Sequence, residues 1–192
     1  MTAFILGLVL FLGGHSLRIF ADGWRTRQVA RLGEMRWKGL YTVVSLAGFA
    51  LLVWGFALVR HDSPPFWTPP VWSRHLAALL TLVAFILIVA AYVPGNHFKT
   101  ALGHPMVAGV WLWALAHLLA NGRPVAVTLF AAFLVWATVD YVSLRRRDAA
   151  AGIRYPAAML ARTALATVVG ALLWAAFAMF LHAWLIGVRP FG

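Results

Sequence analysis

The sequence contains no cysteine at all. This absence excludes disulfide bonds, thiolate catalysis and every metal or iron–sulfur site that is held by cysteine. Acidic residues are also scarce, since the 192 residues include only 5 aspartates and glutamates. Asp140 is the only acid that we place within a predicted membrane span, near Arg145 at the inner end of that span. A mechanism that needs two carboxylates therefore has little support.

Long apolar runs, in contrast, are abundant. Hydrophobic residues make up 63% of the chain and charged residues 11%, which is far more apolar than a water-soluble domain. Because crossing the hydrocarbon core takes roughly 20 mainly apolar residues, these uninterrupted runs favour helices over a β-barrel. We predict an all-α, polytopic membrane helix bundle of about six transmembrane helices, with residues 1–192 as a single domain. The predicted spans are Met1–Leu17, Gly39–Val59, Leu76–Val93, Pro105–Gly122, Pro124–Val139 and Thr163–Val188.

The net charge of +11 is distributed unevenly along the chain. Basic residues concentrate after the first, third and fifth spans, so the positive-inside rule predicts that these connections face the cytoplasm and that both termini lie outside. We interpret the Arg145-Arg146-Arg147 run as an orientation signal rather than a site for nucleic acid or anionic lipid. The lipid bilayer is thus the expected partner, and no nucleic acid is expected. The first span has no basic residue before it, which predicts a retained helix and not a signal peptide.

With cysteine absent and acids scarce, histidine is the main candidate for a functional side chain, because neutral imidazole is a common metal and haem ligand. Each histidine taken singly is more typical of packing or of the membrane interface, but the set together indicates a site. Small residues beside His15 and His117 would leave room for a flat ring or would let helices pack closely. His104 and His117 lie about 20 Å apart along one helix, so they cannot bind one iron together. The histidines in or beside apolar runs are His15, His75, His104, His117 and His182.

Several short motifs together resemble the NnrU family of bacterial membrane proteins over nearly the whole chain. They are Gly14-His15-Ser16-Leu17-Arg18, Trp37-Lys38-Gly39-Leu40-Tyr41, Ala91-Tyr92-Val93-Pro94-Gly95-Asn96, His104-Pro105-Met106 and Trp113-Ala114-Leu115-Ala116-His117-Leu118-Leu119-Ala120-Asn121-Gly122.

The resemblance implies a protein of the bacterial inner membrane that is associated with denitrification, meaning nitrite and nitric oxide metabolism. The family is also similar to the plant 15-cis-zeta-carotene isomerase, a haem b membrane protein. That similarity implies haem b as the cofactor, with His15 and His117 as the ligands of the haem iron, and it suggests redox chemistry or a redox-type isomerisation. The isomerase has a cysteine three residues before the second histidine, where this chain has Ala114.

The predicted topology leaves the partner of His117 open. His15 lies towards the inner end of its span and His117 towards the outer end, a difference in depth of about 13 Å. Depth alone would pair His117 with His182 or His75, and His104 is retained as a further alternate. Tilted helices would also accommodate the pair that the resemblance implies.

Three other functions remain as alternatives. The chain would be a non-catalytic assembly factor or a partner of a membrane oxidoreductase if its histidines are only buried polar groups. A lipid-phase methyltransferase is less favoured, since His104-Pro105 followed by Gly109 only partly matches the motif of isoprenylcysteine-type enzymes. Transport is disfavoured because the spans lack paired internal charges. A lipid-soluble substrate is compatible with the haem hypothesis.

Overall fold

A computed structural model describes residues 1–60, 62 and 64–191 of the chain. In this part of the chain the regular structure is entirely helical, which confirms the predicted fold class. Five helices are long and apolar enough to cross a membrane, and a shorter apolar helix stands between them. The helices are α1 (Thr2–Phe20), α2 (Asp22–Leu32), α3 (Glu34–Val59), α4 (Val71–Tyr92), α5 (His97–Leu102), α6 (Pro105–Ala120), α7 (Pro124–Ala150) and α8 (Leu160–Ile186).

The helices divide into two compact units. Unit 1 comprises Met1–Pro65 with Arg123–Val125, and unit 2 comprises Phe66–Gly122 with Ala126–Gly192. Many large apolar side chains are exposed within both units, including Leu46 at 62% and Leu172 at 65%. Lipid tails accommodate such side chains and water does not, so the surface agrees with a membrane environment.

In unit 1, α1 and α3 pack against each other through glycines. A Cβ atom on Gly48 would lie 2.8 Å from the backbone nitrogen of Phe11, and Cβ atoms on Gly7 and Gly55 would overlap the backbone of the opposing helix. Phe4, which faces Gly55, is fully buried. Because glycine has no side chain, the two helix backbones approach each other closely, as is common between membrane helices. These contacts also show that α1 and α3 run antiparallel, since Phe4 contacts Gly55 and Phe11 contacts Gly48.

The surface helix α2 follows α1 and is held to α3 by two tryptophans. The rings of Trp24 and Trp37 meet edge to face with their centroids 5.9 Å apart. Asp22 lies within 3.9 Å of Arg18 and of Arg25. No residue of α2 is buried, so this helix contributes to the surface of unit 1.

In unit 2, α4 packs against both α6 and α8. The Trp174 indole donates a 3.0 Å hydrogen bond to the Thr81 hydroxyl, and the rings of Phe85 and Phe177 lie 5.5 Å apart. Helix α8 contains one turn of π-helix at Phe177–Leu181, immediately before His182. Such turns insert an extra residue and rotate everything that follows relative to a regular α-helix.

A buried asparagine holds the turn between α4 and α5. Asn96 is fully buried, and its side-chain amide donates to the carbonyls of Ala90 and Val93. Its side-chain oxygen accepts from the Lys99 backbone N–H at 2.9 Å and thereby caps α5. The preceding Gly95 has a φ of +69°, a conformation that glycine adopts without strain. The Pro94-Gly95-Asn96 motif is therefore a structural turn.

Helices α6 and α7 begin at Pro105 and Pro124, where the fourth and fifth predicted spans also begin, and proline is favoured in the first turn of a helix. They form an antiparallel pair, because the Trp113 ring lies 5.1 Å from the Phe130 ring while the Trp111 indole donates to Thr138 at 3.0 Å. Helix α7 continues well past the predicted end of its apolar run at Val139 and stops only at Ala150.

Candidate functional site

His15 lies in α1 of unit 1, half-buried between two aromatic rings. The centroid of its ring is 4.4 Å from that of Phe11 and 5.5 Å from that of Tyr41. Its Nδ1 atom is 2.7 Å from the carbonyl oxygen of Phe11, one helical turn earlier. A Cβ atom on Gly13 or Gly14 would meet nothing within 4 Å, so space is open beside this histidine.

His117 lies in α6 of unit 2, in a similar setting. Its ring stacks on Phe130 with centroids 4.5 Å apart and planes at 28°, and Trp113 lies 5.2 Å away. Its Nδ1 atom is 2.9 Å from the carbonyl oxygen of Trp113. Ala114, the neighbour that would leave space for a flat ring, is itself fully buried. This alanine therefore serves the packing of α6.

The two histidines share one hydrogen-bonding arrangement that fixes their tautomer. A carbonyl oxygen only accepts, so in each neutral imidazole Nδ1 carries the proton and Nε2 carries the lone pair. Histidines that bind metals commonly donate their other ring N–H to a backbone carbonyl, which orients the ring and raises the basicity of the ligating nitrogen. In this tautomer Nε2 is the nitrogen of each ring that has the electron pair a metal ion binds.

His182 lies in the same unit as His117, near the end of α8. The π turn before it accounts for its orientation. In a regular α-helix, Leu181 would continue the inward stripe of Gly170 and Trp174, whereas the extra residue turns Leu181 outwards and His182 inwards. Leu181 is accordingly exposed and His182 is half-buried. The Nδ1 atom of His182 is 2.7 Å from the carbonyl oxygen of Val188.

The two remaining histidine candidates lie elsewhere. His75 is exposed near the start of α4. His104 precedes α6, and its Nε2 atom is 2.8 Å from a carboxylate oxygen of Asp148. The Nε2 atom of His104 is therefore already paired with a carboxylate, unlike the Nδ1 pairing with a backbone carbonyl in His15 and His117. The sequence does not predict this role of Asp148, because 44 residues separate it from His104 and no motif or spacing connects the two residues.

Within residues 1–60, 62 and 64–191, no group of three or more His, Cys, Asp or Glu side chains is arranged to hold a metal ion. Haem makes a smaller demand on the protein, because the porphyrin supplies four ligands and the chain adds one or two. A single histidine can supply one such ligand, so a cluster of protein ligands is not required for haem.

The fold and these histidines define a polytopic α-helical membrane protein with imidazoles inside its apolar helices. The sequence model of the NnrU protein family matches residues 3–190. The chain belongs to this family. Comparisons with curated proteins and with solved structures give no match.

Proposed function

We propose that this NnrU-family protein binds haem b in the bacterial inner membrane and serves the nitrite and nitric oxide metabolism associated with denitrification. The observation that carries the proposal is the arrangement shared by His15 and His117, in which the backbone holds Nδ1 and leaves the lone pair on Nε2. Bound haem would supply one-electron redox chemistry or the redox-type activation of a lipid-soluble substrate.

The chain itself contributes orientation and an apolar surrounding. Phe11 and Tyr41 fix the plane of the His15 ring, and Trp113 and Phe130 do the same for His117. Aromatic contacts of this kind limit the rotation of a ring and keep water from its faces. The resemblance assigns His15 as the second ligand, and His182 is the alternate that shares unit 2 with His117.

Protein purified in mild detergent from haem-replete cells is expected to show a Soret band and to give the b-type product in a pyridine haemochrome assay. Spectra recorded before and after dithionite would report the redox change of the iron. Well-folded protein without a Soret band would overturn the cofactor, and the assembly-factor function would then be favoured.

The proposed orientation places both termini outside and the basic connections in the cytoplasm. Counting α6 as a crossing gives six spans, so both ends of the chain share one side. Alkaline phosphatase fused at the C-terminus is expected to be active, and a fusion near Asp148 inactive, because that enzyme folds only outside the cytoplasm. The opposite pattern would contradict the six-span topology.

A further inference from the structure

A second cluster of polar side chains forms in unit 2, where α6 begins and α7 ends. One oxygen of Asp148 lies 2.8 Å from His104 Nε2 and 2.5 Å from the Tyr155 hydroxyl. The Tyr155 hydroxyl is also 3.3 Å from His104 Nε2, and the Arg145 guanidinium is 3.7 Å from the same oxygen of Asp148. The start of α6, the end of α7 and the connection between α7 and α8 each supply part of the cluster.

The backbone beside the cluster is shaped to admit these side chains. Gly103 has a φ of +75°, and a Cβ atom there would lie 2.6 Å from the Arg145 guanidinium and 2.8 Å from the Tyr155 hydroxyl. The Tyr141 hydroxyl donates a 2.7 Å hydrogen bond to the Leu102 carbonyl and so supports the same turn from α7. The turn at Gly103 therefore leaves the space that the side chains of the cluster occupy.

Asp148 sets the tautomer of His104 opposite to that of His15 and His117. An ionised carboxylate only accepts, so the neutral imidazole carries its proton on Nε2 and its lone pair on Nδ1. In the described part of the chain, Nδ1 has no hydrogen-bond partner, and the His104 side chain is 23% exposed. This geometry, a carboxylate that orients an imidazole and leaves the lone pair on its other nitrogen, is the one that general bases use.

Tyr155 keeps its proton in this arrangement. Burial raises the pKa of Tyr155, and the hydrogen bond to Asp148 raises it further. At neutral pH the phenol is consequently a hydrogen-bond donor that holds the carboxylate ionised and in place. Because Tyr155 belongs to the connection between α7 and α8, it also ties that connection to the cluster.

Of the basic residues that the structure describes near the cluster, Arg145 is the one within 4 Å of the Asp148 carboxylate, while Arg146 and Arg154 are exposed beside it. Lys99, Arg162 and Arg147 donate to the Ala91 carbonyl, the Pro94 carbonyl and the Ser143 hydroxyl. The Arg145 side chain is 46% exposed, lies 3.7 Å from Asp148 and also has a hydrogen bond with the Tyr155 side chain. A guanidinium matches the oxygens of a phosphate group in shape and charge.

We propose that His104, Asp148, Tyr155 and Arg145 form an acid–base site that binds a phosphate monoester. Its second ionisation falls near neutral pH, which suits proton exchange with an imidazole. In the forward step, an O–H bond of the monoester monoanion breaks and an Nδ1–H bond of His104 forms. Asp148 then balances the imidazolium, and Arg145 balances the phosphate dianion. The reverse step returns the proton to the phosphate.

The test uses the full chain, labelled with ¹⁵N-histidine and held in detergent micelles or nanodiscs. Comparison with His104→Gln assigns the His104 signals, whose ¹⁵N shifts are expected to report the Nε2–H tautomer. Inorganic phosphate is expected to shift these signals saturably. Asp148→Asn is expected to mix the tautomers, because the acceptor that selects one is then an amide. A pure Nε2–H tautomer in Asp148→Asn would overturn the assignment of Asp148 as the orienting group, and Tyr155→Phe serves as a milder variant of the same cluster.

Arg145→Gln is matched with Arg146→Gln, which removes the same charge from the next residue of the same helix. Losing one charged hydrogen bond is expected to weaken phosphate binding about tenfold or more in Arg145→Gln only. If phosphate binding weakens equally in both variants, the effect comes from the overall positive charge of the helix end, and the proposed site is refuted. Nanodiscs with phosphatidic acid or with phosphatidylcholine alone distinguish a lipid headgroup from a soluble phosphate. The absence of any shift with inorganic phosphate and with phosphatidic acid would also refute it.

Discussion

The variant His117→Ala is expected to be purified with almost none of the haem that the wild-type protein carries. The ring of His117 stacks on Phe130, and its Nδ1 atom is held by the Trp113 carbonyl. An alanine there removes the ligating nitrogen, and no other histidine of α6 replaces it, since the neighbouring histidines in the chain are His104, which precedes the helix, and His182 in α8. The Soret absorbance per protein measures the loss.

Removing a half-buried ring also risks unfolding, so the variant needs controls. Retained helicity and a single symmetric elution peak would show that the fold survives. His97→Ala is the matched substitution, because His97 lies in the same unit but is exposed and bonded to Thr163. It should keep its haem. Wild-type haem content in folded His117→Ala would exclude His117 as a ligand.

The partner of His117 is decided by the same spectra. If His15 is the second ligand, His15→Ala should match the loss in His117→Ala, and His182→Ala should not. If unit 2 supplies both ligands, His182→Ala should show the loss and His15→Ala should keep the haem. The exposed position of His75 makes His75→Ala a further comparison.

The helices were predictable from sequence because the bilayer imposes a strong compositional rule. Each apolar run became a helix, and the prolines at 105 and 124 gave the starts of two of them. The end of α7 was missed, since the Arg145-Arg146-Arg147 run ends the hydrocarbon span without ending the helix. Arginine is a good helix former, and the membrane boundary does not break backbone hydrogen bonds.

The candidate sites were predictable only in part. The set of histidines was visible, yet the π turn that directs His182 inwards leaves no recognisable mark in the sequence. The contact of His104 with Asp148 and Tyr155 depends on how α6, α7 and their connections pack, which a single sequence does not encode in any local spacing. The glycines of α1 and α3 were likewise visible as residues, but their pairing across the two helices was not.

That glycine pairing leads to the second large effect, expected for Gly55→Ala. The added methyl group would overlap the backbone nitrogen of Phe4, and neither backbone moves without disturbing the rest of the α1–α3 contact. Overpacking of this kind costs about 1–3 kcal/mol, and more when backbone atoms are involved. Loss of ellipticity on heating, or on titration with a denaturing detergent, should therefore begin earlier than in the wild type.

The same helix provides the matched control. Gly39 also lies in α3, and a Cβ atom there would meet nothing within 4 Å. Alanine has a higher helix propensity than glycine by about 1 kcal/mol. Gly39→Ala should therefore unfold no earlier than the wild type, and slightly later if this propensity stabilises α3. Gly55→Leu should lower stability further than Gly55→Ala, because its side chain has no space on that face. If Gly55→Ala instead unfolds together with Gly39→Ala, the close approach of α1 and α3 at Phe4 is wrong.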